Sequence, residues 1–155
     1  MRVIHPPEPY TPDGRPSVYL AGRAVDGDEW REQAATLLAT SGYDGTVLDP
    51  FPRHPAAGTG RFAAWAPLGW QSTTIRCADV VLFWEPAGPI TVADLYSRQV
   101  LSGRGSLVVG WGPDTAWRSG MPGRLHHELP WLTVHTTLAA TVAAALQQLA
   151  ALRAA

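Results

Sequence analysis

The chain contains no lysine: all 12 of its basic residues are arginine. A Walker-type phosphate loop needs its lysine and Schiff-base catalysis needs a lysine amine, so both chemistries are excluded. Cysteine is nearly absent. Cys77 stands alone, which excludes a disulfide framework and a Cys-rich zinc centre. No G-x-G-x-x-G run follows the first buried strand, so the dinucleotide fingerprint is missing. No apolar run approaches the ~18–20 residues that span a bilayer, and the Ala-rich stretch near the C-terminus is interrupted by Gln147, Gln148 and Arg153. Met1 to Pro16 is polar and Pro-rich, without the pattern of a secretory leader. A soluble cytoplasmic protein without a membrane partner is expected. The formal net charge of −1 leaves no broad basic face, so no nucleic-acid partner is expected either.

What is present suits one domain. The chain has 155 residues, 46% of them hydrophobic and 16% charged, enough for a core without metal or disulfide staples. Residues 1–16 hold a short apolar start, Val3-Ile4, then a stretch from His5 to Gly14 with four prolines and Asp13-Gly14, and read as an extended arm with a turn. Residues 17–155 read as the domain proper. Short continuous apolar runs predict strands at Ser17–Ala21, Thr46–Leu48, Asp79–Trp84, Ser106–Gly110 and Trp131–Val134. Between them, helical spacing joins Trp30, Ala34, Leu37 and Leu38 behind Asp28 as N-cap, and Val92, Leu95, Tyr96 and Gln99 behind Thr91. Thr136 or Thr137 caps a last helix, with Leu138, Val142, Leu146, Leu149 and Leu152 on its inner stripe. Buried strands alternating with amphipathic helices predict an α/β fold, a parallel sheet of about five strands covered on both faces. Ligands bind such sheets beyond the carboxyl ends of the strands, which directs attention to Gly22–Asp28, Pro50–Gly60, Glu85–Thr91 and Trp111–Gly123.

Two short motifs carry little. Gly103-Arg104-Gly105 falls between a helix and a strand, where a C-cap turn explains it. His126-His127-Glu128 lacks the H-E-x-x-H spacing that would place two ligands on one helical face. No metal site and no cofactor are expected.

The order of several further segments is informative. Glu8-Pro9, then Pro16-Ser17-Val18-Tyr19-Leu20-Ala21-Gly22, resembles the opening of the nucleoside 2-deoxyribosyltransferase-like family, with its Pro-Glu-Pro arm and a strand ending in Leu-Ala-Gly. Trp30-Arg31 is similar to the family's Trp-Arg on the first helix, and Gly45-Thr46-Val47-Leu48-Asp49-Pro50 to its second strand. Trp70, then Ala78-Asp79-Val80-Val81-Leu82-Phe83-Trp84, resembles its Trp-Glu helix and third strand. Thr91-Val92-Ala93-Asp94-Leu95 falls on its Thr-x-x-Glu-Phe/Leu-Gly motif, and Pro113 to Arg118 on the loop after strand four.

The resemblance implies a flavodoxin-like three-layer fold and chemistry at a nucleoside C1′. A carboxylate opening the helix after strand three attacks the anomeric carbon, the base leaves, and water or a second base resolves the glycosyl-enzyme, the logic of a retaining glycosidase. Carried over, the nucleophile is Asp94, one methylene shorter than the family's Glu, and Tyr96 replaces the following Gly. The acid of the Trp-Glu pair is Gln71, which hydrogen-bonds but does not transfer a proton; Glu85 and Asp114 are the candidate substitutes. Gly22, Arg23, Asp49, Trp70, Gln71, Glu85 and Asp114 form the expected substrate-binding set. The resemblance further implies a nucleoside or nucleotide as small-molecule partner and a homo-oligomer, dimer or larger. The alternative is a catalytically degenerate binding or assembly protein.

Plainer readings stand beside these. Asp94 in a first helical turn also complements the helix dipole, Arg23 also suits plain solvation, and Asp49-Pro50 also suits an ordinary turn. Asp79 reads chiefly as ordering the turn before its strand. Of seven tryptophans, Trp30, Trp84 and Trp131 read as core. Trp65, Trp70, Trp111 and Trp117 fall near the ligand rim, where stacking on a base, packing and a subunit interface are all open; Trp65, Trp70 and Trp117 are the exposed aromatic set that suggests a partner surface.

Overall fold

The protein is described here by a computed structural model, covering residues 1–22, 29–51, 68–87, 106–114, 127 and 130–154. Its apolar runs form six strands: β1 (Arg2–Ile4), β2 (Ser17–Ala21), β3 (Thr46–Leu48), β4 (Val80–Ala87), β5 (Ser106–Asp114) and β6 (Val134–His135). They form one sheet in the order β1-β3-β2-β4-β5-β6. Every pairing is parallel. Leaving β1 aside, this is the 2-1-3-4-5 order of flavodoxin-like sheets.

Three helices among the described residues cover the two faces: α1 (Glu29–Thr40), α2 (Leu68–Cys77) and α3 (Leu138–Ala154). The two-residue alternation of strands sorts the core into two layers. Val18, Leu20, Val47, Val80, Leu82 and Val108 meet α1 and α3 through Trp30, Ala34, Leu38, Val142, Ala145 and Leu149. Tyr19, Ala21, Leu48, Val81, Phe83, Leu107 and Val109 form the opposite face with Ile75 of α2. All five residues of β2 are buried, as a central parallel strand covered on both sides requires.

Local chemistry sets the boundaries. α1 ends in a Schellman turn, with Gly42 at φ +78°, Tyr43 N–H donating to the Leu38 carbonyl at 3.1 Å and Gly42 N–H to Ala39 at 3.1 Å. Thr137, of the two cap candidates, closes α3: its Oγ1 accepts from Ala140 N–H at 3.1 Å. Asp79 clamps the starts of β2 and β4. Its Oδ2 accepts from both the N–H and the hydroxyl of Ser17 at 2.8 Å, and its own N–H donates back to Ser17 Oγ at 3.0 Å.

The parallel α/β sheet expected from the sequence is observed, with a sixth strand at one edge because Arg2–Ile4 pairs with β3 in register Ile4↔Leu48, and Ile4 is buried. Some finer expectations need correction. β4 and β5 run further than their apolar cores, so Glu85 and Trp111–Asp114 lie on strands and not in loops. Trp131 is 57% exposed and outside the core; β6 is only Val134–His135, while Leu132 and Val134 pack inward. Leu152, 44% exposed, lies beyond Leu149, where the buried stripe Thr141, Val142, Ala145, Leu149 ends. The Asp28 cap and the Thr91 helix lie outside the described residues.

Tyr43 ties α1 to the sheet, its hydroxyl 2.6 Å from the Pro16 carbonyl and 3.0 Å from that of Thr46. Burial, reinforced by the charge of Asp79, pushes this phenol far above its ordinary value of 10.0. The unfolded chain therefore ionises Tyr43 first. Its contribution to stability is intact below the unfolded pKa and is lost as pH rises through it towards the folded value. In urea titrations from neutral pH to about pH 11, the wild type should lose stability more steeply than Tyr43→Phe, which should already be weaker at neutral pH by about 1 kcal/mol for its missing hydrogen bond. Parallel pH profiles for the two proteins would contradict this.

Candidate active site

Strand order reverses between β2 and β4: β3 and β1 lie to one side, β5 and β6 to the other. In doubly wound sheets the place beyond the carboxyl ends of the strands at such a reversal is the crevice where ligands bind. Gly22 follows β2 at that point, and Trp84 and Glu85 lie beside it on β4, past the last register pair Ala21↔Phe83. Gly22 has φ +139°, and a Cβ there would lie 1.9 Å from the Trp84 carbonyl oxygen. Only glycine allows the chain to leave the strand so close to β4. Gly22→Ala should cost at least about 2 kcal/mol, from backbone strain plus the clash, read as a lower urea midpoint with unchanged m-value. A midpoint within experimental error of wild type would show that this approach is not tight.

The wall of the crevice on the β3 side is built around Arg31. It lies on α1 next to Trp30, and its side chain is only 2% exposed. One guanidinium nitrogen donates to the Gly22 carbonyl at 2.8 Å, and Nε lies 3.3 Å from Asp49 Oδ1. The guanidinium carbon lies over two rings, 4.2 Å from the Trp30 centroid and 4.3 Å from that of Phe51. Planar delocalised charge and weak hydration make arginine the cation suited to such a position. Asp49 supplies the counter-charge and shapes its own turn, Oδ1 accepting from Phe51 N–H at 3.1 Å. Asp49 N–H donates to the Ile4 carbonyl at 3.0 Å, which fixes β3 to the end of β1. His5, just past β1, closes the cluster: Nδ1 lies 2.7 Å from the Phe51 carbonyl and 3.7 Å from Asp49 Oδ2. A carbonyl only accepts, so His5 carries its proton on Nδ1. One buried ion pair thus holds together the ends of β1, β2 and β3.

The structure brings Gly22, Asp49 and Glu85 to this end of the sheet. Glu85 is 4% exposed and sits on β4 opposite Trp111 of β5. Asp114 ends β5 opposite Ala87. Trp70 and Gln71 stand in the first turn of α2. That helix leads into the start of β4, so its first turn lies towards the carboxyl ends. Gln71 is buried. Trp70 is half-buried, packs on the core and donates its indole N–H to the Glu8 carbonyl at 2.7 Å. Its ring is thus used to dock the arm, which removes it from the set of freely exposed aromatics. Trp111 is half-buried against the same core layer. Arg23, Asp94, Trp65 and Trp117 lie outside the described residues.

Arg31 and His5 were absent from the sequence-derived site set. Arg31 had a signal: positions 31, 34 and 38 share a helical face, so a charge there interrupts an apolar stripe and requires a buried partner. His5 had none, because its proximity to Asp49 depends on β1 joining the sheet beside β3.

Among the described residues no three His, Cys, Asp or Glu side chains are grouped to hold a metal ion, and no helix is long and apolar enough to cross a membrane. No protein-family model and no curated protein matches the chain.

Proposed function

We propose that the chain cleaves or exchanges the N-glycosidic bond of a (deoxy)nucleoside or nucleotide, in the manner of nucleoside 2-deoxyribosyltransferase-like enzymes. The observation that carries the reading is the gathering of Gly22, Asp49 and the buried carboxyl of Glu85 at the switch point of a sheet with flavodoxin strand order. The resembling segments supply the chemistry. Asp94 attacks C1′ through a carboxylate oxygen; the C1′–N bond breaks, its electron pair leaves with the base, and the base takes up a proton from solvent. The glycosyl ester is then opened by water, giving the free sugar, or by the nitrogen of a second base, giving a new nucleoside; the attacking water or base N–H gives its proton back to solvent, and Asp94 is released as carboxylate. In this reading Glu85 hydrogen-bonds the substrate, and the Arg31–Asp49 pair holds the wall against which the substrate sits. The working form is a homo-oligomer.

Gln71 favours a second reading, since the position that the resemblance gives to an acid holds an amide: a degenerate protein that binds a nucleoside without turning it over. Incubation with a panel of deoxynucleosides, with and without an acceptor base, separates the two by chromatography. Released or exchanged base supports the enzyme. Saturable nucleoside binding without turnover supports the binder, and neither binding nor turnover overturns both.

A further inference from the structure

A second recess lies away from this crevice, at the opposite half of β5. Ser106 N–H donates to the Asp79 carbonyl at 3.0 Å, on the β4 side. Main-chain groups alternate along a strand, so the N–H and C=O of Leu107 face the other way, towards β6. β6 meets β5 only at Val109↔Val134 and Gly110↔His135. Residues 131–133 precede that point and are not part of a strand, and among the described residues no strand pairs with Ser106–Val108 on this side. The gap is a recess of about 660 Å³, bordered by Leu107, Trp131, Thr133, His135, Gln147 and Gln148. It falls within the ~300–1,000 Å³ range of small-molecule sites.

We propose that this recess binds an uncharged flat heterocycle carrying a cis-amide edge, that is, a lactam. Three features select that class. The Leu107 N–H and C=O present one donor and one acceptor side by side, the complement of a ring with adjacent C=O and N–H. Trp131, 57% exposed, offers an indole face at the border of the recess. No carboxylate or guanidinium lines the recess among the described residues, so a cationic ligand finds no counter-ion and an anionic one only the imidazole of His135, while the Gln147 and Gln148 amides serve neutral polar substituents. An extended peptide is the weaker fit: the open edge is three residues long and is closed at one end by β6. The proposal is independent of the activity proposed for the crevice.

The test titrates the full chain with 2-quinolone, a planar lactam that is not a nucleobase, against N-methyl-2-quinolone, which lacks the N–H, and follows backbone and indole N–H signals by NMR. The expected result is a saturable shift of the Leu107 amide and the Trp131 indole, about ten-fold weaker binding of the N-methyl compound and about ten-fold weaker binding by Trp131→Ala. Trp131 is largely exposed, so its removal leaves the fold intact, which the same spectra check. No saturable shift, equal binding of the two probes, an unchanged affinity in Trp131→Ala, or shifts confined to the Gly22 and Glu85 region would each overturn it.

Discussion

Arg31→Met should destabilise the fold by about 3–5 kcal/mol, the range seen when one partner of a buried ion pair is removed and the other stays behind uncompensated. Asp49 would keep its charge with its side chain only 11% exposed, and the Gly22 carbonyl would lose its donor. The contacts over the Trp30 and Phe51 rings would go with it. Arg31→Lys should recover only part of the loss, because an ammonium keeps the charge but neither the planar stack nor the forked geometry. The double variant Arg31→Met/Asp49→Leu should be more stable than Arg31→Met alone, since it removes the stranded carboxylate. Urea denaturation of the three variants checks the set. A loss below about 1 kcal/mol in Arg31→Met would mean that the pair behaves as a surface salt bridge and does not organise the crevice.

Asp94→Ala should reduce base release or exchange by about 10⁴-fold or more, the scale on which removal of a covalent nucleophile acts, while leaving the urea midpoint near wild type. Asp94→Glu tests geometry separately. The resembling family carries Glu at this position, and one added methylene extends the carboxylate's reach; a reactive group displaced by ~1 Å can cost about a hundredfold. Turnover in Asp94→Glu equal to or above wild type is expected. Arg31→Met under stabilising conditions should chiefly raise KM, since the proposed mechanism uses Arg31 only to hold Gly22 and Asp49 in place. Asp94→Ala should instead lower kcat. A steady-state series on the three proteins separates positioning from chemistry.

The central fold was legible because its physics is local. Ser17–Ala21, Thr46–Leu48 and Val80–Trp84 are continuous apolar runs between turn-forming residues, and strands buried on both faces must look like that. The edges were less so. Arg2–Ile4 has two apolar residues and becomes a strand only because β3 offers an open parallel edge; Trp131 looked like core by residue type alone, although the chain there has not yet joined β6. At the site, Gly22 could be read from its place after a strand, and Asp49 and Glu85 from theirs. The Arg31–Asp49–His5 cluster could not. It joins residues 18 and 44 positions from Asp49, and their meeting depends on the lateral order β1-β3-β2, which periodicity does not encode.

The most direct measurement is the mass of the protein and its peptides after a rapid acid quench during turnover of a deoxynucleoside. A deoxyribosyl adduct is expected on the peptide containing Asp94, formed with release of base and absent in Asp94→Ala. Base release with the adduct on another residue, or undiminished base release by Asp94→Ala, would contradict it.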